Sequence, residues 1–555
     1  MLKWARGHSA LVAEVVAIVA LTAFAGFLRL HDLVTSPPGL HGDEAITGIE
    51  GRRILAQGWI GPYSPLALGQ PSGPLYLTAA SVRLFGDTIL AVRLVPALLG
   101  TATIVALYLV LRRNTDAPTA LAGAGLLAIM GWHLHYSRIG FPLAAWPLIV
   151  VIAAGVALEA MRGEEPGWWA AAGFFAGLGA YVYNAHPLVL VIIGGFALAG
   201  LLRRRVRRLH TAEQRRRLVC LCAFVGALAL TLVPMARFAA DAQNGYWQHF
   251  QAYSLFNQPV WNAAPTITDR ALALAGRYVG FWDHLCCQPV LDSVDGTGLT
   301  AIVPPAFLAA SAVGLALALW RRSGAWAVLG ALLIGIEPLA AVVTIEGMAR
   351  RTFALAPFLA AFAGYGVVAL WRAAARQSLA VRVIGSVALL AATGLAVYQN
   401  LDDELRVFAR SPQADWVFAR EMTDAADFMR CLQPDQHVYF LSDRWSVNYE
   451  TRQFLAPRVS AEDRSAEFGR YDLSLDATRP ASVFLLLGRY RPLLGELQER
   501  YPGGETLLGR SQAEPTFVAY FVPPAIVTRS GDLISPRLLP ACHGGMEEQR
   551  WLGSA

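Results

Sequence analysis

The sequence predicts a polytopic α-helical membrane protein with about eleven transmembrane helices, interfacial helices in the first outside loop and a small C-terminal extracytoplasmic α/β domain. Three observations predict it. Of the 555 residues, 55% are hydrophobic and only 15% charged, and the mean hydropathy is +0.43, whereas soluble domains carry roughly 25% charged residues. Apolar runs of bilayer-crossing length recur through residues 10–398, and clusters of arginine separate alternate runs. Disordered, collagenous and small disulfide-rich classes are excluded, because each needs a composition this chain lacks.

A helix needs about 20 apolar residues to cross a bilayer core. Runs that satisfy or approach this length lie at 10–30, 88–111, 118–134, 141–160, 167–183, 186–202, 218–236, 298–320, 324–344, 352–371 and 380–398. The first follows Lys3 and Arg6, contains Glu14 and is too long for a signal-peptide core, so it reads as a retained first helix. A cytoplasmic N-terminus puts Arg112-Arg113, the clusters at 203–208 and 215–217, Arg321-Arg322, and Arg372 with Arg376 all inside, as the positive-inside rule requires. Eleven spans then leave loops 31–87 and 237–297 outside, together with residues 399–555. The predicted division is a membrane domain over 1–398 and an extracytoplasmic domain over 399–555.

Charge follows that division. Residues 1–398 hold 29 Lys and Arg against 18 Asp and Glu, and residues 399–555 hold 17 against 22. The basic excess belongs to the membrane part and reflects loop topology, so no nucleic-acid partner is implied. Lys3 is the only lysine. An anion must therefore be neutralised by arginine or by helix N-termini, and a Gly-Lys-Ser phosphate loop is excluded.

The C-terminal part alternates β-type runs at His437–Leu441, Ser482–Leu487 and Thr516–Val522 with helical stretches at 421–432 and 492–500. Cys431 and Cys542 allow a disulfide in an oxidising compartment, or two separate thiols. None of the six cysteines has metal-ligand spacing, so no zinc site is expected.

The most informative stretch follows the first helix: Ser36-Pro37-Pro38-Gly39-Leu40-His41-Gly42-Asp43-Glu44-Ala45. Prolines and glycines break the helix, and residues 44–56 resume helical spacing as an interfacial helix with Asp43 at its N-cap. Asp at an N-cap and Glu in a first turn have a purely structural explanation. The setting adds another: two adjacent carboxylates beside His41, directly after the first span, at a membrane surface.

This plan resembles the GT-C superfamily of polyprenyl-phosphate-sugar glycosyltransferases, and within it the protein O-mannosyltransferase and lipid A aminoarabinose transferase group, in layout over residues 10–372. The resemblance implies that Asp43 is the catalytic base. Gln70-Pro71-Ser72-Gly73-Pro74-Leu75-Tyr76 is similar to that family's Pro-Pro-Leu motif leading into a second interfacial helix, although Ser72 and Gly73 split the prolines and no His or Lys precedes them. The segment Trp132–Gly140 resembles the Ser-Arg segment of bacterial members, and Arg350-Arg351-Thr352-Phe353 resembles their late outside arginine.

The implied chemistry needs few groups. A sugar on a polyprenyl phosphate is already activated, so one carboxylate must take the acceptor's proton and one or two cations must stabilise the departing phosphate, by inverting displacement. Asp43 would be the base and Glu44 its catalytic neighbour or an acceptor-binding group. Arg138 and Arg351, at outer ends of spans, would meet the lipid phosphate, and His41 and Tyr76 would bind substrate. For each arginine the alternative is interfacial snorkelling. The implied enzyme is a hexosyl- or pentosyltransferase with a lipid-linked donor and a lipid, glycan or protein acceptor. No cofactor is implied, a divalent metal is left open, and His133, His135 and His284 lack i, i+4 pairing for one.

Loop 237–297 is rich in aromatics, including Tyr246, Trp247, Tyr253 and Trp282, which read chiefly as a membrane-interface belt. The rival class is a multi-span transporter using intramembrane carboxylates, Glu14, Glu159 and above all Glu337 before Pro338. Against it, no repeat divides the membrane part into halves, and the irregular polar sequence lies outside the spans.

Overall fold

The computed structural model describes residues 2–522, except 67, 164, 204–210, 264–265, 290–293, 299, 346, 466–470, 477–480 and 510–513. The chain forms two compact units. One comprises Met1–Leu33, Glu50–Leu84 and Leu90–Ala409; the other comprises Val34–Ile49, Phe85–Ile89 and Arg410–Ala555.

The first unit is helical. It holds α1 (Leu2–Leu30), the later turns of α2 (Gly42–Gln57), a short hairpin of β1 (Tyr63–Ser64) with β2 (Gln70–Pro71), and nearly all of α3 (Gly73–Phe85). Among the described residues, six helices are long and apolar enough to cross a membrane: Leu11–Leu30, Ile89–Asn114, Pro142–Ala160, Ala212–Ala240, Ala325–Val342 and Phe353–Ala374. Shorter apolar helices lie at Ala117–Ile129, His186–Leu201 and Pro305–Trp320. Run 380–398 lies within the helix Leu379–Asp402, and three other runs are interrupted or shifted. Run 118–134 breaks at Met130, whose extended ψ of 117° separates helix 117–129 from Gly131–Tyr136. Run 298–320 becomes helical only after Pro304, and run 167–183 ends in a tight turn at Gly179–Tyr181.

Small residues let the helices meet backbone to backbone, the usual device where lipid supplies no hydrophobic drive. A Cβ on Gly314 would lie 1.8 Å from the Phe362 carbonyl, and one on Gly364 would lie 2.4 Å from the Gly123 nitrogen. Helix-end charges are paired across neighbours: Arg113 with Glu159 at 2.8 Å, Arg372 with Asp116 at 2.6 Å, and Arg112 with Glu14. Two of the three carboxylates expected of a transporter, Glu14 and Glu159, are therefore ion-paired to arginines in the last turn of Ile89–Asn114.

The second unit is built on a five-stranded sheet of order β4-β3-β5-β7-β6, with β3 (Gln436–Leu441), β4 (Ser460–Asp463), β5 (Ala481–Leu487), β6 (Glu505–Leu508) and β7 (Phe517–Phe521). β3 pairs in parallel with β4 and β5, while β7 runs antiparallel to β5 and β6. Tyr439, Leu441, Phe484, Leu486, Val518 and Tyr520 form its core. β3, β5 and β7 match the expected runs. β4 (Ser-Ala-Glu-Asp) was missed because it is a short polar strand at the sheet edge. Cys431 is buried and disulfide-bonded, and Cys542 lies outside the described residues. Cys286 and Cys287 are bonded to each other.

Candidate active site

In the second unit, the first-loop motif forms a reciprocal helix cap. The Asp43 N–H donates to His41 Nδ1 at 3.1 Å, and the His41 N–H donates to Glu44 Oε2 at 3.0 Å. This is a capping box with imidazole in the place of a Ser or Thr hydroxyl. The N-cap is thus His41 and not Asp43, because the helix begins two residues earlier than expected, at Gly42. Glu44 is fully buried, and its carboxylate closes the cap. Asp43 falls in the first turn with its side chain 46% exposed, where the positive end of the helix dipole favours a carboxylate.

Two residues that the sequence reading missed stand beside this turn. The Tyr449 hydroxyl reaches the Gly42 backbone, and burial pushes its pKa up to about 12, with Glu450 and Asp43 adding to the rise. A Cβ on Gly42 would lie 2.7 Å from that hydroxyl and 3.3 Å from Glu450 Oε2. No local pattern marks these residues, since Tyr449 lies some 400 positions along the chain from Gly42.

The other expected residues lie in the first unit. Arg138 is fully buried and donates to the Leu28 carbonyl at 2.7 Å, and burial pulls its pKa down to about 10. Buried Arg29 and Arg93 do similar work, donating to the carbonyls of Ala128 and Leu33 at 3.2 Å each. The Tyr76 hydroxyl accepts from the Ile60 N–H at 3.0 Å and donates to the Gly61 carbonyl at 3.2 Å, while its ring stacks on exposed Trp59.

Arg351 lines a cavity of about 440 Å³ whose walls are mostly apolar, among them Leu188, Phe250, Leu339 and Val343. Its guanidinium lies 4.8 Å from the Tyr253 ring centroid, so this aromatic serves as a cation platform. The preceding Arg350 is fixed by Asp295 at 2.7 Å, and Asp295 also accepts from the Tyr136 hydroxyl at 2.8 Å. His249 lines the same cavity. Burial, with Arg351 and Arg350 nearby, pulls its pKa down to about 4, which leaves it neutral near pH 7.

His133 and His135 take structural partners. His133 Nδ1 meets Arg29 at 2.9 Å. His135 Nδ1 meets Glu404 at 3.0 Å; burial opposes its protonation, and the Glu404 carboxylate outweighs that and raises its pKa. Glu337 is fully buried, with no hydrogen-bond partner for either oxygen among the described residues. Among the described residues no group of three or more His, Cys, Asp or Glu could hold a metal ion.

Residues 69–233 match the family model described as dolichyl-phosphate-mannose-protein mannosyltransferase, a stretch shorter than half of the chain. No curated protein matches the sequence. Among solved structures, ArnT from Cupriavidus metallidurans in the apo state aligns with a TM-score of 0.50 at 14% identity, covering 92% of this chain and 98% of that one. The apo oligosaccharyltransferase of Archaeoglobus fulgidus aligns with a TM-score of 0.54 at 14% identity, covering 89% of this chain and 73% of that one. The fold resembles that of ArnT and the archaeal oligosaccharyltransferase, a polytopic helical membrane fold, and this chain carries a small sheet domain as well.

Proposed function

We propose that the chain is a membrane glycosyltransferase that moves a sugar from a polyprenyl-phosphate donor to an acceptor hydroxyl on the outer face of a bacterial cytoplasmic membrane. The observation that carries this reading is the apolar cavity of about 440 Å³ with Arg351 in its wall, which suits an anionic head on a hydrocarbon tail. The mannosyltransferase match over residues 69–233 and the shared fold support the same reaction class.

In this reading Asp43 takes the acceptor's hydroxyl proton as the oxygen forms its bond to the anomeric carbon. The bond from that carbon to the phosphate oxygen breaks, the anomeric centre inverts, and the polyprenyl phosphate departs with the electron pair. Arg351 stabilises the charge that develops on the phosphate. Glu44 and His41 keep the base at the first turn of α2, and Tyr76 secures the loop before α3. Arg138, buried against Leu28, braces the end of α1. The N-terminus is cytoplasmic, and residues 399–555 stand on the extracytoplasmic side. Acceptors of this class are lipid, glycan or protein.

The test is transfer from an undecaprenyl-phosphate-linked sugar by the purified full-length chain. Asp43→Asn is expected to abolish transfer at wild-type expression and melting temperature, and full activity in that variant would remove Asp43 as the base.

A further inference from the structure

The first-loop motif is gripped by residues of the C-terminal sheet domain. Leu40 sits two residues before the helix, and both polar groups of its backbone are bound by threonine side chains. Its N–H donates to Thr423 Oγ1 at 2.8 Å, and its carbonyl accepts from Thr451 Oγ1 at 2.8 Å. The two threonines are 3% and 0% exposed. The Thr423 hydroxyl also donates to the Ala419 carbonyl at 3.0 Å, so it is used as both acceptor and donor.

The approach is close enough to dictate the glycines of the motif. Gly39 has a φ of +77°, and a Cβ there would lie 2.3 Å from the Phe418 carbonyl. Gly42 faces the Tyr449 hydroxyl, and a Cβ on Gly48 would meet the Phe454 ring at 2.4 Å. The His41 ring packs edge-on to Phe418 at 6.3 Å. Gly42 and Gly48 are thus demanded by the sheet domain and not by turn geometry, and at Gly39 the close approach adds to the requirement its positive φ already sets.

We propose that the C-terminal domain is a working part of the catalytic centre, with Thr423 and Thr451 as positioning residues that fix the Leu40 peptide and thereby aim Asp43 at the acceptor. The inference rests on the reading of Asp43 as the base. Leu40 precedes the His41 cap, so its peptide sets where α2 begins and where the Asp43 carboxylate points. Tyr449 and Glu450, carried on the segment that leads into Thr451, form the wall beside Asp43 and give the acceptor side hydroxyl and carboxylate hydrogen-bonding groups.

The experiment uses the full-length chain in lipid nanodiscs with undecaprenyl-phosphate-linked hexoses and pentoses, following release of the sugar to water and to added acceptors. Thr423→Val and Thr451→Val are expected to lower kcat by about 10- to 100-fold, since misplacement by an ångström costs that much, while donor KM stays unchanged. Thr423→Ser and Thr451→Ser keep the hydroxyl and are expected to restore kcat. Hydrogen exchange supplies the readout independent of activity: the Leu40–Asp43 amides should exchange faster in the valine variants. Faster exchange with unchanged kcat overturns the positioning role, as does unchanged exchange. Wild-type turnover that Asp43→Asn leaves intact overturns the base reading and this inference with it. If the wild-type chain turns over none of these donors, the reading of function fails, and exchange alone decides whether the threonines hold the loop.

Discussion

The carboxylate of Glu44 accepts the backbone N–H of His41 at 3.0 Å while the imidazole of His41 accepts the next helical amide, so the two side chains close one cap between them. That arrangement assigns different work to the adjacent carboxylates. Glu44 is consumed in holding the helix, and Asp43 keeps a half-exposed side chain in the first turn.

Glu44→Gln is therefore expected to retain most activity, because an amide oxygen still accepts from the His41 N–H. Glu44→Ala removes the acceptor and should cost about 1 to 2 kcal/mol of stability, in the range of lost caps. Thermal unfolding of both variants beside transfer assays checks this. A Glu44→Gln enzyme as inactive as Asp43→Asn would make Glu44 a chemical participant.

His41→Asn should preserve the cap, since Asn is among the best N-cap residues, whereas His41→Leu should destabilise by about 1 kcal/mol. Melting temperatures that fall equally in both variants would show that ring packing on Phe418, not the hydrogen bond, is what His41 contributes.

How much of this was legible in sequence depends on range. The broken helix at Pro37–Gly42, the helix that follows it, and strands β3, β5 and β7 are written in local pattern, because proline, glycine and apolar alternation act over a few residues. The cap was misplaced by two residues, from His41 to Asp43, since imidazole is an uncommon capping group and Asp a common one. Tyr449, Glu450, Thr423 and Thr451 were not legible. Each is a plain residue in its own neighbourhood and gains meaning only when folding brings it to a loop some 400 positions away. The place of Arg138 at a span end was legible, whereas its burial against Leu28 follows only from three-dimensional packing.

Arg351→Ala should raise donor KM by about 10- to 100-fold, the loss of a charge-assisted hydrogen bond of about 1.5 to 3 kcal/mol. Arg351→Lys should recover only part of it, because an ammonium neither stacks on Tyr253 as a plane nor forks onto phosphate oxygens. Titration with undecaprenyl phosphate checks binding directly, and equal affinity in wild type and Arg351→Ala would return this arginine to a structural role.

The depressed pKa of His249 predicts an acid-side loss of stability. Its pKa is about 4 in the folded chain against an ordinary value of 6.5, so between those values the unfolded chain binds more protons than the folded one. Stability conferred by the neutral ring is present above pH 6.5 and is lost as pH falls toward 4. Melting curves from pH 7 to pH 4 should flatten in His249→Gln, and an unchanged slope would show that other groups carry the acid sensitivity.

Glu337 separates the two function classes the sequence raised. It is fully buried with neither oxygen hydrogen-bonded among the described residues, whereas Glu14 and Glu159 are ion-paired. A buried carboxylate without partners is costly to hold, and a neutral isostere relieves that cost. In a glycosyltransferase whose chemistry lies at Asp43 and Arg351, Glu337→Gln should leave transfer within about twofold and raise the melting temperature, because the amide removes a buried charge that no reaction step uses. A transporter built on this carboxylate behaves in the opposite way. Its substrate flux in proteoliposomes would stop with Glu337→Gln and continue with Asp43→Asn, so running both variants through both assays decides between the classes.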